Sequence, residues 1–488
     1  MDRRFRLVLA ITCALLGVAL VVTIIAASGA IMWQTDGVPV SVTSNHDRRP
    51  KVVGDEVGGA IIAWSDRRSS ADDIYAQRLD PVGNALWAIN GVSLCTANSY
   101  QGYPQLVSNG YAGAIVAWGD YRTNAHNDIF AQLVYSDGTV AWAEDGVSLC
   151  GAVGDQYLGG VVPDAAGGAI VAWEDRRITI TNGYDIYAQR VDPEGTPLWT
   201  ADGVSLCTAT DDQYSPRIAP DGSGGTIGVW RDYRSGSNWD VYAQRVNSAG
   251  TTLWADDGVT VCAYSGHQNN PQIISDGTGG AIVAWEDNRG GSYYDIYVQR
   301  IDFKGTSLWA VDGVSLCVAS YNQYHPSMIS DGAGGYIVTW ADGRISNSPS
   351  SFDIYAQRVD TDGVALWAPD GISLCTAAEG QFKPRIVSDG MGGAIVTWED
   401  NRSTATNGYD IYAQRVDPDG NVLWGPDGLP VCRAGNDQNT PAIAGLGHGA
   451  AVVVWEDARS LTLDTYGHIY AQRIGSAGVY LPLALKNE

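Results

Sequence analysis

Positive charge is scarce in this chain. Of 488 residues only 30 are Lys or Arg, against 54 Asp or Glu, so the formal charge at neutral pH is −24. Such a surface repels phosphate and anionic lipid, which excludes a sequence-general nucleic-acid binder. Lysine is the rarer of the two basic residues: Lys51, Lys304, Lys383 and Lys486 are the full set. Charged residues of both signs reach only 17%, whereas hydrophobic ones reach 45%, too much apolar material for a disordered chain. Zinc-type spacings are also missing, with no C-x-x-C, H-E-x-x-H or paired histidines. No metal or organic cofactor is therefore expected.

One long uncharged run is present, from Leu7 to Met32, behind Arg3, Arg4 and Arg6. It reads as a basic segment feeding an apolar helix. Residues 1–30 are expected to be a signal peptide cut after Ala30 or an uncleaved N-terminal membrane anchor. Either places the remainder of the chain outside the cell or on its surface, with membrane contact only through this segment. Cys13 lies mid-run and reads as one more apolar residue.

What dominates the rest is repetition. Tryptophans at 64, 118, 173, 230, 285, 340, 398 and 455 each open the pattern W-x-D-x-R, at a mean step of about 56 residues. A second series begins at Trp33 and runs through Trp87, Trp142, Trp199, Trp254, Trp309 and Trp367 to Trp424, leaving Trp239 alone outside both. Each unit offers four short apolar runs separated by Asp-Gly and Gly-Gly turns, which accept the positive φ of tight hairpins. The runs are apolar on consecutive positions, as expected for strands covered on both faces. Eight such units predict an all-β, eight-bladed β-propeller of four-stranded antiparallel blades over residues 31–478, with 479–488 as a tail. The segment after Trp33 is a fourth strand lacking its first three, and the last unit lacks its fourth. The two are expected to complete one blade and close a monomeric ring without a free sheet edge.

The residues present in every unit read as framework. Trp64, Asp66 and Arg68, like Trp285, Asp287 and Arg289 or Trp398, Asp400 and Arg402, alternate along one strand, so each triple shares a face and suits a hydrogen-bonded ion pair. The glutamine of D-I-Y-A-Q-R, present in all eight copies from Gln77 to Gln472, reads the same way. Cys95, Cys150, Cys207, Cys262, Cys317, Cys375 and Cys432 occupy equivalent positions, too far apart in neighbouring blades to bridge, and are expected as buried thiols.

The units "GGAIVAWEDNR" and "YDIYAQRVDPDGNVLW" resemble the repeats of large secreted or surface bacterial β-propeller proteins. The turns "DPDGNVLW" and "DTDGVALW" are weakly similar to the Asp-box hairpin of sialidase-type propellers. Calcium at Asp417 and Asp419 or at Asp360 and Asp362 is conceivable, but two carboxylates fall short of the six to eight oxygens calcium takes.

In an antiparallel blade the second-to-third and fourth-to-first connections share a rim, and here they alone vary. That rim, rich in Tyr, Asn, Gln and Ser, reads as a recognition surface. Candidate ligand-binding residues are Trp239, Tyr157, Tyr214, His267, Tyr324, His325 and Phe382, whose rings and polar tips suit a glycan or a surface protein. A glutamine recurring at 101, 156, 213, 268, 323, 381 and 438 reads as a loop-to-backbone hydrogen bond or as a ligand contact. The expected function is noncatalytic binding of a glycan or protein through this rim, with no catalytic residues assigned. The alternatives are a carbohydrate-active hydrolase or lyase, with Glu174, Glu286, Glu399 and Glu456 as the asymmetric acids, and a structural spacer. A deep axial pocket with a perturbed carboxylate pair would favour the enzyme; a shallow, wide rim would favour binding.

Overall fold

The computed structural model describes residues 7–11, 20–24, 29–43, 45–177, 183–402, 408–459 and 467–476. Seven four-stranded antiparallel sheets follow one another, and an eighth is shared between the two ends of the ring. The fifth blade is representative: Gln268–Ser275, Ala281–Asp287, Asp295–Ile301 and Val314–Cys317, paired in that order. Blades are numbered one to eight from Asp47. The protein is thus an eight-bladed propeller, and the only helix among the described residues is one 3-10 turn at Pro349–Ser351.

Closure occurs as the sequence implies. Val38–Ser41 pairs antiparallel with His468–Ser476, in the register Ile469 to Ser41 and Ala471 to Val38. Gly29–Ile31 adds to the same strand, so the closing blade takes in Gly29 and Ala30. The leader, expected as an apolar helix, is described at Leu7–Ile11 and Leu20–Ile24, which pair antiparallel. Leu20–Ile24 is dominated by β-branched residues, which favour strand. No helix among the described residues is long and apolar enough to cross a membrane. The tail at 479–488 and Cys13 lie outside the described residues.

The second strand of each blade is sandwiched between neighbours. Ala281–Asp287 is buried along its whole length, which is why its run does not alternate. The eight W-x-D-x-R tryptophans are fully buried, each in a cluster drawn from two adjacent blades. Around each, the framework residues form one hydrogen-bonded knot. Asp287 accepts from Trp285 Nε1 at 2.7 Å, from Arg289 Nε at 2.9 Å and from Arg289 Nη2 at 2.7 Å. The same guanidinium caps the Asp312 carbonyl at 2.7 Å and lies 3.7 Å over the Tyr297 ring. Cys262, from the preceding blade, places Sγ 3.7 Å from Asp287 Oδ2. The seven described cysteines are buried and unbridged, and burial pushes Cys150 and Cys375 up to about 12.

The D-I-Y-A-Q-R glutamine is a staple inside the blade. Gln299 accepts the Trp309 N–H at 3.1 Å and donates to the Ala310 carbonyl at 2.7 Å. In the closing blade Gln472 does the same across the ring seam, to the Trp33 N–H at 2.9 Å and the Gln34 carbonyl at 2.7 Å. The arginine that follows pairs with the Asp of the first turn, as Arg300 does with Asp276 at 3.0 Å.

Candidate functional site: an axial funnel

The first strand of every blade packs against the first strands on either side, so these eight strands wall the central axis. Each enters from the variable rim and carries a register shift, after its second residue in seven blades and after Leu158, its third, in blade three. In seven blades the third residue is left-handed without being glycine: Arg49, Tyr103, Ser215, Asn270, His325, Lys383 and Thr440 have φ between 47° and 57°. Such backbone is unfavourable for side-chain-bearing residues and persists only where the surroundings impose it. The bulge re-aims the strand here, as bulges near sites do. In four blades a glutamate from the preceding blade holds the bulged amide. Glu174 accepts from the Ser215 N–H at 2.7 Å, Glu286 from His325 at 2.8 Å, Glu399 from Thr440 at 2.7 Å and Glu456 from Arg49 at 2.6 Å. Burial raises the pKa of Glu174 and Glu286. These four acids, the sequence candidates for catalysis, are blade clamps.

Two rings of side chains result. The mouth ring is the bulge series itself, including Arg49, Tyr103, Asn270, His325 and Lys383. The second ring lies two residues further along each strand: Lys51, Gln105, Gly160, Arg217, Gln272, Ser327, Arg385 and Ala442. Three contiguous cavities of 180, 370 and 200 Å³ join the rings, all sharing Lys51, Gln105 and Arg385. No carboxylate lines them among the described residues. Arg217 and Arg385 retain solvent contact inside the shaft, yet the surrounding walls lower both of their pKa values, with repulsion from Arg385 adding to the effect at Arg217. Lys51 is pushed down to about 8, first by desolvation and then by Arg385 and Arg217. Burial, with Arg385 and Lys383, also lowers His325. At the mouth Lys383 pairs with Glu399 at 3.1 Å, and Arg49 lies 3.5 Å over the Tyr103 ring.

The sequence candidates on the rim fall into two aromatic runs. Tyr157 leads through Tyr184 at 6.0 Å and Tyr214 at 5.0 Å to Trp239 at 5.6 Å. Tyr324 contacts His325 at 6.1 Å and Phe352 at 5.9 Å, and Phe352 leads to Phe382 at 5.8 Å and Tyr409 at 6.3 Å. Tyr294 lies 5.7 Å from Tyr324, so the arc spans blades three to seven. Blades eight, one and two carry no ring at the same positions, which hold Asn439 and Gly467, Arg48 and Asp72, and Gly102 and Asn127; Arg48 and Asp72 form an ion pair. Trp239 is not outside the repeat. Its carbonyl accepts the Gln268 N–H at 2.8 Å, the contact that Tyr184, Tyr294, Phe352 and Tyr409 make in their own blades. It packs 4.8 Å from Tyr233, with Arg231 4.7 Å over its ring. His267 is exposed and accepts the Trp239 N–H through Nδ1 at 3.3 Å. The recurring loop glutamines turn inward: Gln268 Nε2 donates to the Gly266 carbonyl at 3.0 Å.

Lys51, Arg217 and Arg385 were missed from sequence, although a signal existed. They follow the strand proline in "RRPK", "YSPR" and "FKPR", where other blades have Gln, Ser or Ala and blade three has Gly159-Gly160. Among the described residues no three His, Cys, Asp or Glu side chains converge as for a metal ion. Asp417 accepts the N–H groups of Asp419 and Asn421 at 3.0 and 2.8 Å, closing its own turn.

No protein-family model and no curated protein match the chain. Solved structures do. A Dyadobacter fermentans protein of unknown function is 10% identical, with 92% of this chain and 98% of that one covered and a TM-score of 0.39. The polysaccharide lyase Uly1 is 7% identical, covering 89% and 100%, at 0.49. A Fusarium graminearum α-L-arabinofuranosidase is 11% identical, covering 67% and 97%, at 0.36. At such identities the likeness is one of fold alone. The expectation of a noncatalytic rim binder is corrected at this point. Two of these three neighbours are glycan-cleaving enzymes, and Lys51, Arg217, Arg385 and His325, all with lowered pKa values, line an axial funnel that, among the described residues, lacks the carboxylate pair looked for in sequence.

Proposed function

We propose that the protein is a carbohydrate-active enzyme that cleaves a polysaccharide at the funnel mouth. The observation that carries this reading is the arc of aromatic rings over five consecutive blades with His325 at its inner edge, above the shaft. Sugar faces stack on such rings while their hydroxyls meet amides. His325 has no side-chain hydrogen bond to satisfy among the described residues, and its lowered pKa keeps it neutral and basic at neutral pH. Hydrolysis by the usual route needs two free carboxyl groups about 5–10 Å apart, and the mouth glutamates are already engaged. That favours elimination: the base takes a carbon-bound proton beside an acidic group, a C=C bond forms, and the C–O bond breaks with its electron pair on the oxygen of the leaving sugar, which takes a proton from water to become a hydroxyl. The uncharged run Leu7 to Met32 and the resemblance to exported repeat propellers support action outside the cell. The edge-free ring supports a monomer.

The test is depolymerisation of a panel of neutral and acidic polysaccharides by the purified full chain, followed by reducing ends and by ultraviolet absorbance of unsaturated products. Turnover that falls at least about a hundredfold in His325→Ala, as expected for loss of a general base, with an unchanged melting temperature, is the expected result. Binding without turnover across the panel overturns the reading.

A further inference from the structure

The cations of the second ring stand apart from the framework arginines. The W-x-D-x-R arginines are each matched to an aspartate within 2.7 Å, as Arg289 is to Asp287, and so within 3.0 Å are the described D-I-Y-A-Q-R arginines, as Arg358 is to Asp331, except Arg473, which reaches the Pro81 carbonyl at 2.7 Å. Among the described residues Lys51 has no hydrogen-bond partner, Arg385 reaches only the Pro384 carbonyl at 3.2 Å, and Arg217 only the carbonyls of Gly159 and Pro216 at 2.9 and 3.0 Å. The three sit on blades one, four and seven and converge on one cavity of 370 Å³, to which Gln105 and Gln272 add amides. Gly160, on the same ring, lines this cavity without a side chain.

Chance does not readily produce this arrangement in an acidic chain. With 54 acidic against 30 basic residues, a random pocket would be negative, and gathered cations without counter-charge repel one another. That repulsion is already visible in the depressed pKa of Lys51, whose causes after burial are Arg385 and Arg217. A fold maintaining such a cluster at the bottom of a funnel is set up for a compact anion, because guanidinium and ammonium donors then regain charge-assisted hydrogen bonds.

We propose that Lys51, Arg217 and Arg385 form an oxyanion-binding site in the axial shaft, which takes the carboxylate or sulfate group of an acidic saccharide. The word saccharide rests on the enzymatic reading above; the anion site itself rests on the shaft. A protruding carboxylate or sulfate enters the ring while neighbouring sugars lie on the aromatic arc. Neutral glycans meet the same arc but leave the cations unanswered, so charge on the substrate becomes the basis of selection.

The experiment is calorimetric titration of the full chain, at physiological and at high salt, with inorganic sulfate, a uronate oligosaccharide, a sulfated neutral-sugar oligosaccharide and an uncharged one. The same ligands are then titrated against Lys51→Gln and Arg385→Gln. Charged ligands are expected to bind with affinity that falls as salt rises. Each substitution is expected to weaken them on the order of tenfold or more and to leave the melting temperature unchanged or raised, since repulsion is relieved. Preference for the uronate over the sulfated ligand identifies the carboxylate as the cognate group; the reverse identifies the sulfate ester. Equal affinity for charged and uncharged ligands, or no effect of either substitution in a folded variant, overturns the site. Acidic ligands bound without cleavage would uphold the site and defeat the enzymatic reading, whereas cleavage of neutral glycans with no anion preference would do the opposite.

Discussion

A carboxylate that serves several donors at once cannot become its own amide without leaving one of them short. Asp287 takes hydrogen bonds from an indole, a guanidinium and the Arg289 backbone, all within 2.9 Å. Replacing it by Asn leaves the Arg289 charge without its partner next to a fully buried tryptophan, a loss on the order of 3 kcal/mol. Chemical denaturation of Asp287→Asn should show that drop, and a change within about 0.5 kcal/mol, typical of surface positions, would mean that the knot is not what holds the blade. The roles of such residues were legible in sequence because each recurs in all eight units. One exception is informative. Leu133 replaces the arginine of D-I-Y-A-Q-R only in the second blade, and there the partner aspartate of the first turn is also replaced, by Asn109. Charge and counter-charge vanished together, so the ion pair could have been read from that coincidence. Trp239 shows the opposite failure: counting tryptophans set it apart, whereas alignment by its backbone contact shows it as one of a series of aromatics.

At the level of the strand pair, the second and third strands set an aspartate opposite another: Asp175 faces Asp185 and Asp342 faces Asp353. The first of each pair is matched to arginine; the second is buried with less to stabilise its charge. Desolvation first, and the facing aspartate next, push Asp185 and Asp353 up to about 7. Asp128 and Asp295 reach about 6 by the same two causes, and so do Asp73 and Asp240, where desolvation again comes first. Because these folded-state values exceed the unfolded value of 3.8, their stabilising contribution is complete below about pH 4 and is lost as pH rises through 6 to 7. Asp47, pushed up to about 6 by burial, adds to them. His46 and His325, whose pKa values are lowered, act in the other sense below about pH 6.5, and Lys51, lowered to about 8, does so as pH approaches 8, but these three are outnumbered by the raised carboxyls. The melting temperature should therefore be higher at pH 5 than at pH 8, with Asp185→Asn flattening part of that slope. A flat profile, or one rising toward pH 8, would show that these carboxyls ionise freely. The bulges escaped sequence reading for a physical reason: left-handed backbone is normally signalled by glycine, and here Arg49, His325 and Lys383 adopt it under tertiary constraint.

For the whole molecule, repetition made the ring legible and concealed the site. Identical units announce a propeller, but the axial residues are the ones that differ between units, and difference within a repeat has no pattern to read. The rim loops are conspicuous because their lengths vary, whereas the cationic asymmetry of the shaft sits one residue after a proline present in seven of the eight units. Closure was legible because the incomplete units at the two ends are complementary. Deleting residues 29–43 should leave the strand His468–Ser476 with an open edge and lower the melting temperature more than any single substitution above. A truncated ring that melts like the full chain would mean the eighth blade holds without it. The same latch sets a clock. Val38–Ser41 precedes all eight units and His468–Ser476 belongs to the last of them, so the ring has no route to completion until all eight have been synthesised. Until then its latch strand must travel unpaired, in a form still able to pass as an extended thread through any channel narrower than the finished disc.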